Sequence, residues 1–454
     1  MFMFLNRKTF QAQTNGAMAK ATLDDWKECA GSMLHDSSKG TVAAQSARCT
    51  SIDALRGLVM FMMIFVNDLA GAGRIAPNWM VHFSDRHHGG SGMTFVDLVF
   101  PAFLFIVGMS VPFALGGRVA KGEPVWRVFG HVALRTACLL FIGILMVHET
   151  PDTGALGWPG NWWCVLMYLS AIAAFCSISP RASAAPGWSA WRVSSLCARL
   201  AGLAALVWLA FAFRGARGQR ILTLAPFSLD TQWYGILGLI GWAYLVTCVV
   251  FLVFRGHRAA ILGCMALLMC LFAADRAGAF EGFWLGRIVG LGGTLGSQAA
   301  ISVGGLLLGS ILVAPEMTAL KARARFTFWF VAGCAAAALL LTRSYGISKN
   351  QATPSWCLWA CAVTAALWYG FYLISDVRPV NPISRPLALA GQNVLLAYLL
   401  SEMLPGLLDA LHLGDGYGHV AANLPSAIAR SAFCATFILL VSTGLNRIGF
   451  RLKL

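Results

Sequence analysis

The stretch DRHHGGSGMTFVDLVFPAFLFIVG, Asp85 to Gly108, runs from a charged loop with paired histidines directly into an apolar segment that starts near Phe95 and continues to Ala114. About 20 predominantly apolar residues in helical conformation are enough to cross the ~30 Å hydrocarbon core of a bilayer, so this segment predicts a membrane-spanning helix. Asp97 lies at its start, three residues before the Phe100–Pro101 pair, where the proline frees backbone groups locally. A lipid-facing surface has no use for such residues. A carboxylate and two histidines at the mouth of a span therefore raise the question of a site.

Working outward, comparable apolar runs recur near 52–70, 128–147, 162–178, 196–213, 233–254, 259–274, 295–314, 326–342, 356–375, 387–411 and 427–445. They predict an all-α, polytopic integral membrane protein with about 11–12 transmembrane helices. Hydrophobic residues make up 58% of the chain and charged residues only 12%, which excludes a soluble globular class. The formal charge of +15 does not indicate nucleic acid, because most Lys and Arg sit in short loops between apolar runs, where cations orient a membrane protein. The 13 cysteines are scattered, with no C-x-x-C spacing, and read as small buried hydrophobes; neither disulfides nor a metal is expected.

Residues 1–49 lack the apolar core of a signal peptide and read as a cytoplasmic N-terminal extension ahead of a transmembrane domain over 50–454. Alternate loops are rich in cations, as at Arg118, Lys121 and Arg127, at Arg255 and Arg258, and in the tail at Arg447, Arg451 and Lys453. The loop from Glu149 to Gly160 has none. This asymmetry predicts cytoplasmic termini and an outward-facing histidine loop. Arg214, Arg217 and Arg220 form an outward cluster that runs against the rule. No internal repeat is visible.

Polar side chains inside a span are costly, and each is a candidate for facing a cavity. TSIDALRG, Thr50 to Gly57, places Asp53 and Arg56 on one helical face at i and i+3. That pair serves equally as a helix-end ion pair or as a grip on an anionic ligand. Asn67 is about 16 Å farther along the same helix by its rise of ~1.5 Å per residue. Asp97 and Glu402 also fall toward outward ends, and Asn393 lies mid-span. Asn67, His87, His88, Asp97 and Glu402 therefore share one depth. Taken singly, packing or an interhelical hydrogen bond explains any of them; a shared depth points to a site. HFSDRHH, His82 to His88, has ligand types for a metal but no known zinc spacing. A histidine acting as base or nucleophile is the sharper reading, with a carboxylate fixing its tautomer, and Gly89 to Gly92 would let backbone approach a ligand.

Several of these pieces resemble the heparan-α-glucosaminide N-acetyltransferases and their bacterial relatives among transmembrane acyltransferases. They are SIDALRG (Ser51–Gly57), FVN (Phe65–Asn67), HHGGSGMTFVDLVFPAFLFIVG (His87–Gly108), ISKNQATPSW (Ile347–Trp356) and GQNVLLAYLLSEM (Gly391–Met403). The resemblance implies an enzyme that takes acetyl-CoA from the cytoplasmic side and acetylates a sugar amine on the other, the domain over 50–454 being the acyltransferase. It maps the family's catalytic histidine onto His87 and its first-span asparagine onto Asn67, with Asp97 beside them. Arg56, Arg135, Arg385 and Asn393 are the expected acetyl-CoA residues, and His88, Lys349, Glu402 and Asp53 the expected acceptor residues. His87 as transient acetyl carrier and His87 as base in a direct transfer both fit. The family's histidine beside the Glu402 position is Ser401 here. A cell-envelope glycan acceptor, a bacterial plasma membrane and a homodimer are compatible with this reading. The rival is a transporter or flippase for an envelope precursor, using the same polar residues to bind substrate and protons.

Overall fold

The computed structural model describes residues 49–83, 90–148, 151–178, 190–224, 227–378 and 381–453. The expected N-terminal extension, apart from Cys49, and the histidines His87 and His88 lie outside the described residues. Every apolar run predicted from the sequence falls on a helix. In chain order these are α1 (Thr50–Ala70), α2 (Val96–Ala120), α3 (Val125–Val147), α4 (Gly160–Phe175), α5 (Ala190–Ala212), α6 (Ile236–Phe254), α7 (Arg258–Arg276), α8 (Leu291–Val313), α9 (Leu320–Tyr345), α10 (Pro354–Val377), α11 (Asn381–Ala390), α12 (Val394–Ala410) and α13 (Leu424–Arg447). Among the described residues nine of them are long and apolar enough to cross a membrane alone. The chain is an all-α, multi-pass integral membrane protein.

Two runs differ from expectation. The run over 387–411 is not one straight span: α11 and α12 meet at 71°, with Gly391, Gln392 and Asn393 at the break. The run over 162–178 gives a helix of only 16 residues, because Cys176–Ile178 leaves it as strand β1. Strands β2 (Leu222–Leu224) and β3 (Phe227–Leu229) form a small hairpin, and β1 pairs antiparallel with β4 (Phe450–Leu452), near the chain's C-terminus.

Burial separates the inner helices from the outer ones. In its most apolar stretch α8 is 89% buried, against 22% for α5, α7 and α9. The outer helices expose Trp208, Leu267, Phe328 and Leu340, the pattern expected of a face that meets lipid. At the centre α2 crosses α8 almost backbone to backbone. A Cβ added at Gly108 would collide with the Ser302 carbonyl, and one at Gly305 with the Phe105 carbonyl. Small residues at such crossings bring polar backbones and dense packing together where no hydrophobic force drives association. This fixes α2, the helix on which both ends of the site are built.

Candidate active site

Asp97 occupies the first turn of α2 with its side chain only 2% exposed. A carboxylate buried there is costly unless it is paired and hydrogen-bonded, and four groups supply that. His82 Nδ1 lies 2.8 Å from Oδ1. The backbone N–H groups of Phe83 and Thr94 donate to Oδ2 at 3.1 and 3.0 Å, and the Thr94 hydroxyl approaches it at 3.4 Å. That hydroxyl also donates to the Val81 carbonyl at 2.8 Å. Asp97 therefore clasps the two strands of chain that enter and leave the histidine loop, and its role reaches beyond setting a tautomer.

Further contacts seat this neck against the segment before α10. Gly92 N–H donates to the Ile347 carbonyl at 2.9 Å, and Ile347 N–H to Ser91 Oγ at 2.7 Å. Trp356 Nε1 donates to the Asp97 carbonyl at 3.2 Å. Lys349 Nζ sits 3.1 Å from each ring nitrogen of His82. Equidistant from two nitrogens of one ring, the ammonium lies against the imidazole face, while Nδ1 is turned to Asp97.

Asn67, in the last turn of α1, donates to Glu402 Oε1 on α12 at 3.2 Å. The adjacent Asp68 is the centre of a second clamp. It accepts from Tyr417 Oη and Ser431 Oγ at 2.6 Å each, and Arg430 Nη2 pairs with it at 3.1 Å while stacking over the Tyr417 ring. Only 6% of the Arg430 side chain is exposed. Asp68→Ala would leave that guanidinium buried without its carboxylate, an arrangement that typically costs about 3–5 kcal/mol. Thermal unfolding of the detergent-solubilised protein should show a clearly lowered Tm for this variant and a smaller change for Asp68→Asn.

The other end of α1 and α2 holds the arginines. Arg56 Nη1 pairs with Asp53 Oδ1 at 2.7 Å, and Nη2 donates to Ser110 Oγ on α2 at 2.7 Å. Arg56, Arg135 and Asn393 line one cavity of about 330 Å³, together with Met60, Met63, Phe103, Val107 and Tyr244. The Arg135 guanidinium lies 4.9 Å from the Tyr244 ring centre. Asn393 contributes to the wall, but its amide is engaged: Nδ2 donates to the Phe450 carbonyl and Oδ1 accepts from Leu452 N–H, both at 3.2 Å. It thereby holds β4 against the break between α11 and α12.

A second cavity, of about 680 Å³, lies at the Asp97 end. Phe100, Gln232, Trp233, Tyr234, Arg287, Lys349 and Trp356 are in its wall. On α2 the rise of ~1.5 Å per residue puts Asp97 about 20 Å from Ser110, against about 16 Å between Asn67 and Arg56 on α1.

The structure thus brings together Arg56, Arg135 and Asn393 at one end and joins Asp97 to Lys349 through His82 at the other; Asn67 pairs with Glu402. Arg385 is exposed on α11 and absent from the cavity wall. Asp53, expected with the acceptor, is the partner of Arg56 and belongs to the arginine end. His82, Asp68 and Arg430 were not singled out by sequence reasoning. For His82 the signal was its place within HFSDRHH; for the clamp it was a carboxylate and an arginine inside two apolar helices.

Fold and site together define a multi-pass membrane protein whose inner helix pair carries an arginine-lined cavity at one end and a carboxylate-clasped histidine loop at the other. Residues 48–158, which include Arg56, Asn67, His82, Asp97 and Arg135, match a family described as Domain of unknown function (DUF5009). The chain is similar to heparan-alpha-glucosaminide N-acetyltransferase of Homo sapiens, at 32% identity over 117 residues, and to that of Mus musculus, at 31% over 116 residues. Each match covers 26% of this chain and 16% of the relative. The resemblance is thus present over about a quarter of this chain, too short to reach from Ser51 to Met403, and it extends over about a sixth of the relatives' length.

Proposed function

We propose that this protein is a membrane acetyltransferase that takes acetyl-CoA from the cytoplasmic side and acetylates an amino sugar or related glycan on the outer side, in a bacterial-type plasma membrane with both termini cytoplasmic. The observation that carries the reading is the pairing of an arginine-lined cavity with a clasped histidine loop along the same two helices, α1 and α2. The similarity to named N-acetyltransferases supports it from a different direction.

In this reading Arg56 and Arg135 neutralise the phosphates of CoA by charge-assisted contacts, and the pantetheine arm lies along Met60, Met63, Phe103 and Val107. At the far end the acceptor amine attacks the thioester carbonyl. A nitrogen–carbon bond forms, the carbon–sulfur bond breaks, the amine loses a proton and the departing CoA thiolate gains one. His87 carries that proton, or carries the acetyl group in two steps, as the family pattern implies. Asp97, through His82, Phe83 and Thr94, sets the position of the loop bearing it. Asn67 polarises the carbonyl, and Glu402 orients Asn67.

The test is incubation of purified protein with radiolabelled acetyl-CoA, with and without glucosamine acceptors. Acceptor-dependent label transfer is the expected result, and label retained on the protein without acceptor assigns the two-step route. The break between α11 and α12 is the observation that favours a transporter, since interrupted helices mark many transporter binding sites. Failure to cleave the thioester, with no CoA binding, would decide for that rival.

A further inference from the structure

The two cavities share a wall residue. Ile236, the first residue of α6, lines both the arginine-end cavity and the larger cavity at the Asp97 end. Along α2 the same boundary falls within a single turn: Phe103 faces the first cavity and Phe100 the second. An Ile and two Phe rings thus stand between the space lined by Arg56 and the space lined by Lys349.

This boundary is held rigidly. Behind Ile236, α6 packs on α3 at glycines: a Cβ at Gly143 would fall 2.6 Å from the Gly238 nitrogen, and one at Gly235 would fall 2.7 Å from Val147 Cγ2. Ahead of it, Trp233 Nε1 donates to the Ile288 carbonyl at 2.5 Å, tying the turn before α6 to the wall of the larger cavity. A side chain on a close-packed helix end of this kind does not swing aside for a longer substrate. Its bulk sets a fixed dimension.

We propose that Ile236, with Phe100 and Phe103, forms the neck through which the acyl thioester reaches the acceptor, and that the size of residue 236 determines which acyl chain is transferred. The proposal rests on the acyltransferase reading. A donor anchored by its phosphates near Arg56 and Ser110 must extend about 15 Å along α2, at ~1.5 Å per residue, to reach Phe100, so its acyl end lies at the neck. The carbonyl must pass it, and whatever carbons follow the carbonyl must be accommodated beside Ile236. An acetyl group adds one methyl there; a butyryl group adds two more carbons that meet the isoleucine side chain. Replacing Ile236 by alanine removes three carbons at the same place.

One methylene in an apolar pocket is worth roughly 10-fold or more in discrimination. The experiment measures transfer to a glucosamine acceptor from acetyl-, propionyl- and butyryl-CoA by wild type, Ile236→Val, Ile236→Ala and Ile236→Phe, with CoA affinity determined for each. Expected are a preference for acetyl in wild type, and a butyryl-to-acetyl ratio of kcat/KM raised at least about 10-fold by Ile236→Ala. Ile236→Val should give an intermediate rise. Ile236→Phe should lose acetyl transfer while CoA affinity stays within a few-fold. An unchanged ratio in folded Ile236→Ala, or in Ile236→Val if the alanine variant does not fold, overturns the neck and leaves the acyltransferase standing. Wild-type protein that cleaves no acyl-CoA overturns both.

Discussion

Asp97→Ala will reduce acetyl transfer by about 100-fold or more while leaving acetyl-CoA binding close to wild type. The size follows from the usual contribution of a positioned acid–base group, roughly 10²–10⁴ in rate, because losing Asp97 unfastens the loop on which that group sits. The retained binding follows from distance, since the arginine cavity is built about 20 Å away on α2 and shares none of the Asp97 contacts. Single-turnover transfer and equilibrium binding of CoA separate the two effects. His82→Ala removes one of the clasp's contacts and keeps the backbone donors of Phe83 and Thr94. It should therefore lose less than His87→Ala. The reverse order would make His82, whose ring lies against Lys349, the base, and wild-type turnover in all three variants would remove the site from this end of the molecule.

Arg56→Ala should weaken acetyl-CoA binding by about 10- to 100-fold, the equivalent of roughly 1.4–2.8 kcal/mol, within the range of a charge-assisted hydrogen bond. The single substitution also removes the 2.7 Å ion pair of Asp53, which is 6% exposed. The double variant Asp53→Ala/Arg56→Ala removes both members of that pair. Loss of affinity in both variants, with transfer at saturating donor within a few-fold of wild type, assigns Arg56 to the donor. Unchanged affinity in the double variant would return the pair to a purely structural role at the start of α1.

The helices were legible because the signal for a span is local: an apolar run of sufficient length needs no knowledge of its neighbours. Direction was not legible. The run from Leu387 to Leu411 is long enough for one span, yet the chain turns by 71° within it; Gly391, Gln392 and Asn393 mark the place of the break, but composition does not give its angle. The cluster of Arg56, Arg135 and Asn393 was anticipated through the family resemblance, together with Arg385, which lies outside the cavity wall. The partner of Asp97 was not. Four other candidates shared its depth and His82 was not among them; its pairing with Asp97 depends on how the chain closes through Thr94, Val81 and the distant Ile347–Lys349 segment. Asn393 shows the same limit: it was expected to hold a ligand, and its amide is occupied by a strand from the far end of the chain.

That strand has a consequence for how the protein comes into being. Leu452 is in the wall of the arginine-lined cavity, and its backbone is fastened there by Asn393. The arginine-lined cavity is therefore unfinished while α1 to α13 are being inserted, and it closes only when translation has passed Leu452. Until then the nascent protein is a membrane-embedded bundle with one wall of that cavity missing, and a tag or fusion grafted close behind β4 would press on that same wall.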